Sequence, residues 1–385
     1  MKKLILSVCT AFCIMAAPLA AVEWGGLFSN ETGVTTPDFS AITINQSNAL
    51  SLWVKSPLGS GTGLYFSSEA LYKYKLSIPV GEKIEFTHFV DVPLLKISGD
   101  LNLGAGVLSL NAGRFFYVDS SSAIISQIVD GASISFALPV VKVGGFVGYT
   151  GLLNSLNTSS VTMAVSSTKE NNVYRLAYPY LPLGLTIEFP SLAGNQSIEI
   201  DGYFLADVGA GTEKEGDPSV KEKSNLFYAN LIASGPIANS VYYNAGTTIG
   251  MQNFKNLMNY SSVSFLVFPS EAVSFNAGVS FGSAEQGPFK LYKSLAPVSI
   301  TAAGKIVPKT GFSYTVGNMY LGLNGDVMLA YADKKYTPST TDWNVEFFYN
   351  IFTDLQVGLT VSTTIDLTAA KANNYDAKLN LALAF

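Results

Sequence analysis

Charge is scarce in this sequence. Asp, Glu, Lys and Arg make up 13% of its 385 residues, about half of the roughly 25% usual in a soluble domain. Arginine occurs only at Arg114 and Arg175, and histidine only at His88. With a net charge of −5 and no basic cluster, the chain lacks the electrostatic footprint of a nucleic-acid binder. Cysteine is confined to Cys9 and Cys13. Beyond them there is no disulfide framework, no thiolate nucleophile and no cysteine-based metal site. Past about residue 22 there is also no apolar run of the ~18 residues that a membrane helix requires. Yet 48% of the residues are apolar and 12% aromatic, which excludes disorder. Two classes survive: a large soluble all-β protein and a transmembrane β-barrel.

Residues 1–21 read as an export signal. Lys2 and Lys3 precede an apolar stretch from Leu4 to Ala16, and Ala16, Ala17, Ala20 and Ala21 supply the small residues of a cleavage region. Both cysteines fall inside this segment. Cys9 leaves too short an apolar region before it to act as a lipid acceptor. The mature chain, 22–385, is then expected to form one domain.

Period two runs through that domain. Val273, Phe275, Ala277, Val279 and Phe281 alternate with Ser274, Asn276, Gly278 and Ser280. Leu355, Val357, Leu359 and Val361 alternate with Gln356, Gly358, Thr360 and Ser362. Segments 197–207 and 321–331 behave alike. Such alternation predicts strands with one apolar and one polar face. They run about 10–16 residues, against 5–6 in soluble sheets and ~9–11 for a tilted membrane strand. Their polar faces are rich in Gly, Ser, Thr and Asn, which suits a crowded watery lumen.

Short and long connections take turns along the chain. Short ones are expected near 57–61, 104–105, 139–140, 190–195, 235–239, 269–272, 317–319 and 350–354. Longer ones are expected near 78–91, 119–131, 151–171, 209–222, 253–259, 284–307, 334–341 and 367–372. Tight turns at one rim and longer loops at the other are the habit of outer-membrane barrels. Segments from residue 47 onward give 17 strands, and residues 22–30 supply one more. The expectation is a single antiparallel barrel of 18 strands, with 16 or 14 as alternatives.

The last residues alternate to the end: Tyr375, Ala377, Leu379, Leu381, Leu383 and Phe385 share one face. This resembles the terminal strand signal of bacterial outer-membrane β-barrel proteins. The resemblance implies location in the outer membrane in contact with its lipid. It also implies delivery by periplasmic chaperones and insertion by the barrel-assembly machinery. Within that class the chain is similar in size and strand rhythm to porins and substrate-specific channels, which implies passive diffusion of small hydrophilic solutes. A homotrimer is compatible with porins of this size. A hydrophobic-substrate transporter and a loop-displaying adhesin are the competing readings. The segment Glu31–Gln46 is too short and polar for the plug of a fatty-acid transporter.

Chemistry of other kinds is thin. His88, read in an outer loop, has no G-x-S-x-G elbow elsewhere to serve. No phosphate-cradling motif occurs, and no cofactor or metal is expected. If the apolar faces meet lipid, the inward charges are Glu69, Lys73, Lys75, Lys142, Glu188, Glu199, Asp201, Asp207, Asp326, Glu346, Asp366, Asp376 and Lys378, nine acidic against four basic. Rings of charge set the ion preference of a pore, so weak cation preference is expected, with Glu199, Asp201 and Asp207 its densest patch. Residues 119–131 place Ile124, Ile125, Ile128 and Val129 at helical spacing between a Ser cap and Gly131. A short amphipathic helix is expected there, either folded into the lumen or packed on the rim. Arg114 is expected beside it in the lumen, near Asp119 or Asp130, although its parity conflicts with Leu108 and Leu110 unless Gly113 bulges or those leucines point inward.

Overall fold

Alternation becomes strand nearly everywhere in the computed structural model, which describes residues 22–154, 176–214 and 217–385. Residues 1–21, where an export signal is expected, Arg175 and most of 151–171 lie outside the described residues. The first nine strands are β1 (Glu23–Pro37), β2 (Thr43–Pro57), β3 (Leu64–Pro79), β4 (Glu85–Asn102), β5 (Val107–Val118), β6 (Ser126–Ala137), β7 (Lys142–Tyr149), β8 (Tyr180–Leu192) and β9 (Gln196–Asp207). A small hairpin follows, β10 (Thr212–Lys214) with β11 (Asp217–Glu222). Nine more complete the wall: β12 (Leu226–Ala238), β13 (Val241–Gln252), β14 (Asn256–Ser270), β15 (Val273–Gly282), β16 (Lys305–Val316), β17 (Met319–Ala332), β18 (Lys335–Asn350), β19 (Leu355–Asp366) and β20 (Asn374–Ala384). Each wall strand pairs antiparallel with its neighbours, and β1 pairs with both β2 and β20. The result is a closed 18-stranded barrel. Closure leaves no unpaired edge.

The inner and outer faces separate by parity. On β9 the outward residues are Ile198, Ile200, Phe204 and Ala206, while Glu199, Asp201, Tyr203, Leu205 and Asp207 point in. The outer face keeps its apolar side chains on the surface. Leu185, Leu231, Ile249 and Leu379 are all about half exposed or more. A soluble sheet would bury that face; a barrel in hydrocarbon presents it.

All eight short connections fall at one rim, where they were expected. Three of the longer ones do not exist as loops. The segments 78–91, 253–259 and 334–341 are tight turns at 80–84, 253–255 and 333–334, and the rest of each is strand. The turn at 333–334 has Asp333 at φ 50° and Lys334 at φ 62°. Two consecutive positive φ values make the primed turn that matches strand twist; here neither residue is glycine, so the usual signal is missing. His88 accordingly sits in β4 rather than in a loop. Its ring lies 5.5 Å from that of Phe86 and 6.5 Å from that of Tyr72, within an outward aromatic patch.

The first strand is longer than residues 22–30, running to Pro37, and the second starts at Thr43. The expected helix at 119–131 is absent. Ser126–Ala137 is β6, which puts Ile128 on the outer face and Val129 on the inner. Only residues 119–125 are a connection, and they turn rather than coil into a helix.

Three glycines bend the wall. Gly113, Gly131 and Gly148 lie side by side on the inner faces of β5, β6 and β7. A Cβ on Gly131 would stand 2.1 Å from the Val147 carbonyl oxygen, and one on Gly113 2.2 Å from that of Leu95. Glycine at such a point permits close backbone approach at a barrel corner.

Candidate functional site

The lumen is filled on one side. Residues 119–125 and 283–304, which follow β5 and β15, fold inward and meet. The Leu295 amide donates to the Ile124 carbonyl (2.9 Å), and the Ser126 amide to the Leu295 carbonyl (3.3 Å). The Tyr292 hydroxyl donates to the Ala123 carbonyl (2.8 Å). Ala123, Ile124 and Ile125 are fully buried. They pack with Leu295, Tyr292 and Ala302 against Phe115, Val129, Phe146, Tyr180, Tyr203, Leu205, Leu226, Tyr228, Met258 and Tyr260 on the inner wall. Burying an aliphatic side chain of this size contributes roughly 1.5–3 kcal/mol, so the folded-in segments are held as firmly as an ordinary core. The helical spacing of the isoleucines in the sequence thus had another cause: two adjacent apolar residues on an inserted turn, then two at the start of a strand.

Asp119 builds the turn. Its Oδ1 accepts the amides of Ile124 (2.9 Å) and Ile125 (2.7 Å), and its Oδ2 accepts those of Ser121 (3.0 Å) and Ala123 (3.4 Å). Burial pushes this carboxyl upward, and the donors around it pull the other way. Ser120 then clips the turn to the wall by donating to Asp201 Oδ2. Asn230 donates to the same oxygen (3.0 Å), and Thr248 donates to Asn230 (3.0 Å). Tyr228 donates to the Lys293 carbonyl and so holds the second segment.

These contacts change the role of the β9 acids. Asp201 and Asp207 face inward but are 2% and 3% exposed. Asp207 accepts from the Tyr178 hydroxyl (2.8 Å) and the Ser224 amide (2.8 Å). Both are anchors for connections rather than open pore charges. Glu199, half-buried, faces Glu188 across β8 and β9, and Lys142 donates to Glu188 (3.2 Å).

The opposite wall carries none of that core. The inner faces of β16–β20 and β1–β3 present Lys309, Asp326, Asp342, Glu346, Asp376, Lys378, Glu31, Glu69, Lys73 and Lys75, spaced by Asn, Ser, Thr and Gly. Lys378 bridges Glu31 (3.3 Å) and Asp376 (3.4 Å). Asp366 sits at the end of β19 and caps its own turn through Thr368. Glu31 was missed because 31–46 was not read as strand, and Lys309 and Asp342 because they fall within two residues of the expected connections 284–307 and 334–341. The alternation of Asp342, Asn344 and Glu346 with Trp343, Val345 and Phe347 was the available signal.

Arg114 is not in the lumen. The parity conflict is real, with no register shift at Gly113. Arg114 shares the outer face with Leu110, Ala112 and Phe116, just outside the glycine corner. Its Nε and Nη2 grip Asp130 at 2.7 and 2.8 Å, Nη2 also donates to the Leu152 carbonyl (3.0 Å), and Asp91 lies 3.6 Å away. Arg114→Met leaves two carboxylates without their cation. It is expected to lower stability by about 2–3 kcal/mol, read as an earlier urea midpoint of the barrel in micelles.

The terminal strand closes the ring. The Phe385 amide donates to the Gly26 carbonyl (3.0 Å), and the Gly26 amide donates back to Phe385 (2.8 Å). Leu379 and Leu383 face outward with Leu381 and Tyr375, on the face opposite Lys378 and Asn380.

No family model matches the chain, and no curated protein matches it. Solved structures do. Pseudomonas aeruginosa OccK5 (OpdH) superposes with a TM-score of 0.61 at 9% identity, covering 96% of this chain and 100% of that one. P. aeruginosa OccK7 (OpdD) gives a TM-score of 0.63 at 8% identity, covering 95% and 99%. The outer membrane protein OpdK of the same species gives 0.58 at 10% identity, covering 94% and 98%. The chain shares with these proteins the fold of a complete 18-stranded antiparallel barrel.

Proposed function

We propose that the protein is a channel of the bacterial outer membrane for passive diffusion of small hydrophilic solutes. The observation that carries this reading is the one-sided lumen. A packed core of two inward segments fills the side lined by β5–β9 and β12–β15, and a polar, charge-bearing wall is left free of it on the other. A display scaffold needs no such division, and a hydrophobic-substrate transporter would line its free wall with apolar residues. The apolar outer face and the likeness to an outer-membrane protein support the location, and the alternating terminal strand supports insertion by the assembly machinery. Of the free-wall charges named above six are acids and four are lysines, so the expected ion preference is weakly cationic. The test is refolded protein in a planar bilayer. Ohmic steps and a small reversal potential of cationic sign in a salt gradient are expected. A silent bilayer would overturn the channel, and an anionic reversal potential would overturn the preference.

A further inference from the structure

On the free wall, five strands, β15 to β19, line a recess of about 430 Å³. Its centre is a row of inward residues in direct register: Lys309 on β16, Asp326 on β17 and Asp342 on β18. The adjoining row is Gly311, Asn324 and Asn344. Gly311 lets the Asn276 and Asn324 side chains close over it, because a Cβ there would come 2.4 Å from the Asn324 amide oxygen and 2.5 Å from the Asn276 amide nitrogen. Like charges placed directly opposite on paired strands repel, and Asp326 and Asp342 are so placed. The Asp342 amide and the charges of Lys309 and Lys305 offset part of this at Asp326. One oxygen of Asp326, one of Asp342 and the amide oxygen of Asn344 are buried without a hydrogen-bond donor. Neighbouring carboxylates are answered. Asp376 accepts from Thr35 (2.9 Å) and pairs with Lys378, and Glu346 accepts from Asn344 (2.6 Å).

Resting on the channel reading, we infer that this recess recognises the primary ammonium group of passing solutes, with Asp326 and Asp342 as its acceptors. Three buried acceptor oxygens at the centre of the recess are left without a donor. An ammonium group is compact, carries one positive charge and brings three donors. It answers both the repulsion and the missing donors, which a cation without N–H bonds cannot do. Lys309, in register beside Asp326, disfavours a second positive group and offers a partner to a carboxylate. The solutes that fit are therefore small zwitterions with a primary amine at one end and a carboxylate at the other.

The probes are 4-aminobutanoate and its N-trimethylated counterpart, which keep the same formal charges and differ in N–H donors. Binding is measured by titration calorimetry on the folded barrel in micelles, and current interruptions by single-channel recording. Wild-type protein is expected to bind 4-aminobutanoate and to show resolved interruptions. The trimethylated probe and the D326N/D342N variant are each expected to bind about tenfold more weakly, the loss of one charge-assisted hydrogen bond. Heat-modifiable migration on a gel like that of the wild type shows that the variant is folded. Equal binding of the two probes, undiminished binding by the variant, or no binding by a conducting wild-type channel overturns the inference. Binding without conductance would overturn the channel and leave the recess standing.

Discussion

Replacing Asp119 with alanine is expected to open the lumen, with single-channel conductance rising on the order of twofold and becoming noisy as the filled cross-section clears. The carboxylate satisfies four backbone amides of residues 121–125, those of Ile124 and Ile125 among them. Both isoleucines are fully buried. Alanine leaves their amides without acceptors, and each buried orphan donor costs about 1–3 kcal/mol. The main-chain links from Ile124 and Ser126 to Leu295 depend on the same turn, so the second inward segment loosens with the first. The wall itself is untouched, because its register needs neither segment. Heat-modifiable migration on a gel should therefore stay normal while conductance changes. Asp119→Asn separates charge from shape. It keeps one acceptor oxygen but turns an NH2 toward amides that need an acceptor, and it should give an intermediate conductance. An unchanged conductance in Asp119→Ala would mean that the segment is held by its apolar contacts alone.

Much of this architecture was legible in the sequence, for a physical reason. Strand parity is local: Phe275 and Asn276 declare opposite faces whatever lies across the sheet. The eight tight turns at one rim carry their own chemistry, as in Gly317-Asn318, so strand number and chain direction followed. What could not be read depended on partners far away in the chain. Asp201 looked like a pore charge until Ser120, Asn230 and Thr248 closed around it. Ile124 and Ile125 looked like half a helix because their true neighbour, Leu295, is 170 residues distant from Ile125. The turn at Asp333 and Lys334 hid because positive φ was adopted without glycine. Arg114 was the instructive case. Parity with Leu108 and Leu110 puts it outside, and only a bulge at Gly113 or inward leucines would turn it into the lumen. The structure follows parity and neutralises the charge with Asp130 and Asp91.

Substituting valine for Gly131 is expected to prevent assembly, leaving under about a tenth of the wild-type amount of folded barrel, since a close-packed wall has no room for a side chain there. Gly131 sits between Gly113 and Gly148 on the inner side of the corner. Its added Cβ would meet the Val147 carbonyl oxygen at 2.1 Å and the Gly148 Cα at 2.7 Å. Both are backbone atoms of the paired strand, so neither can swing aside as a side chain could. Relief requires β6 and β7 to move apart, which breaks ladder hydrogen bonds beside the three glycines. The Arg114–Asp130 grip lies on the outer side of the same corner and would be displaced with it. Gly202 on β9 is the matched control. A Cβ there meets nothing within 4 Å, so Gly202→Val should assemble normally, and a modest gain is reasonable because glycine is a poor strand residue. The comparison separates corner geometry from a general intolerance of bulk. If both variants assemble alike in membrane fractions, the corner is not the constraint on closure that its packing indicates.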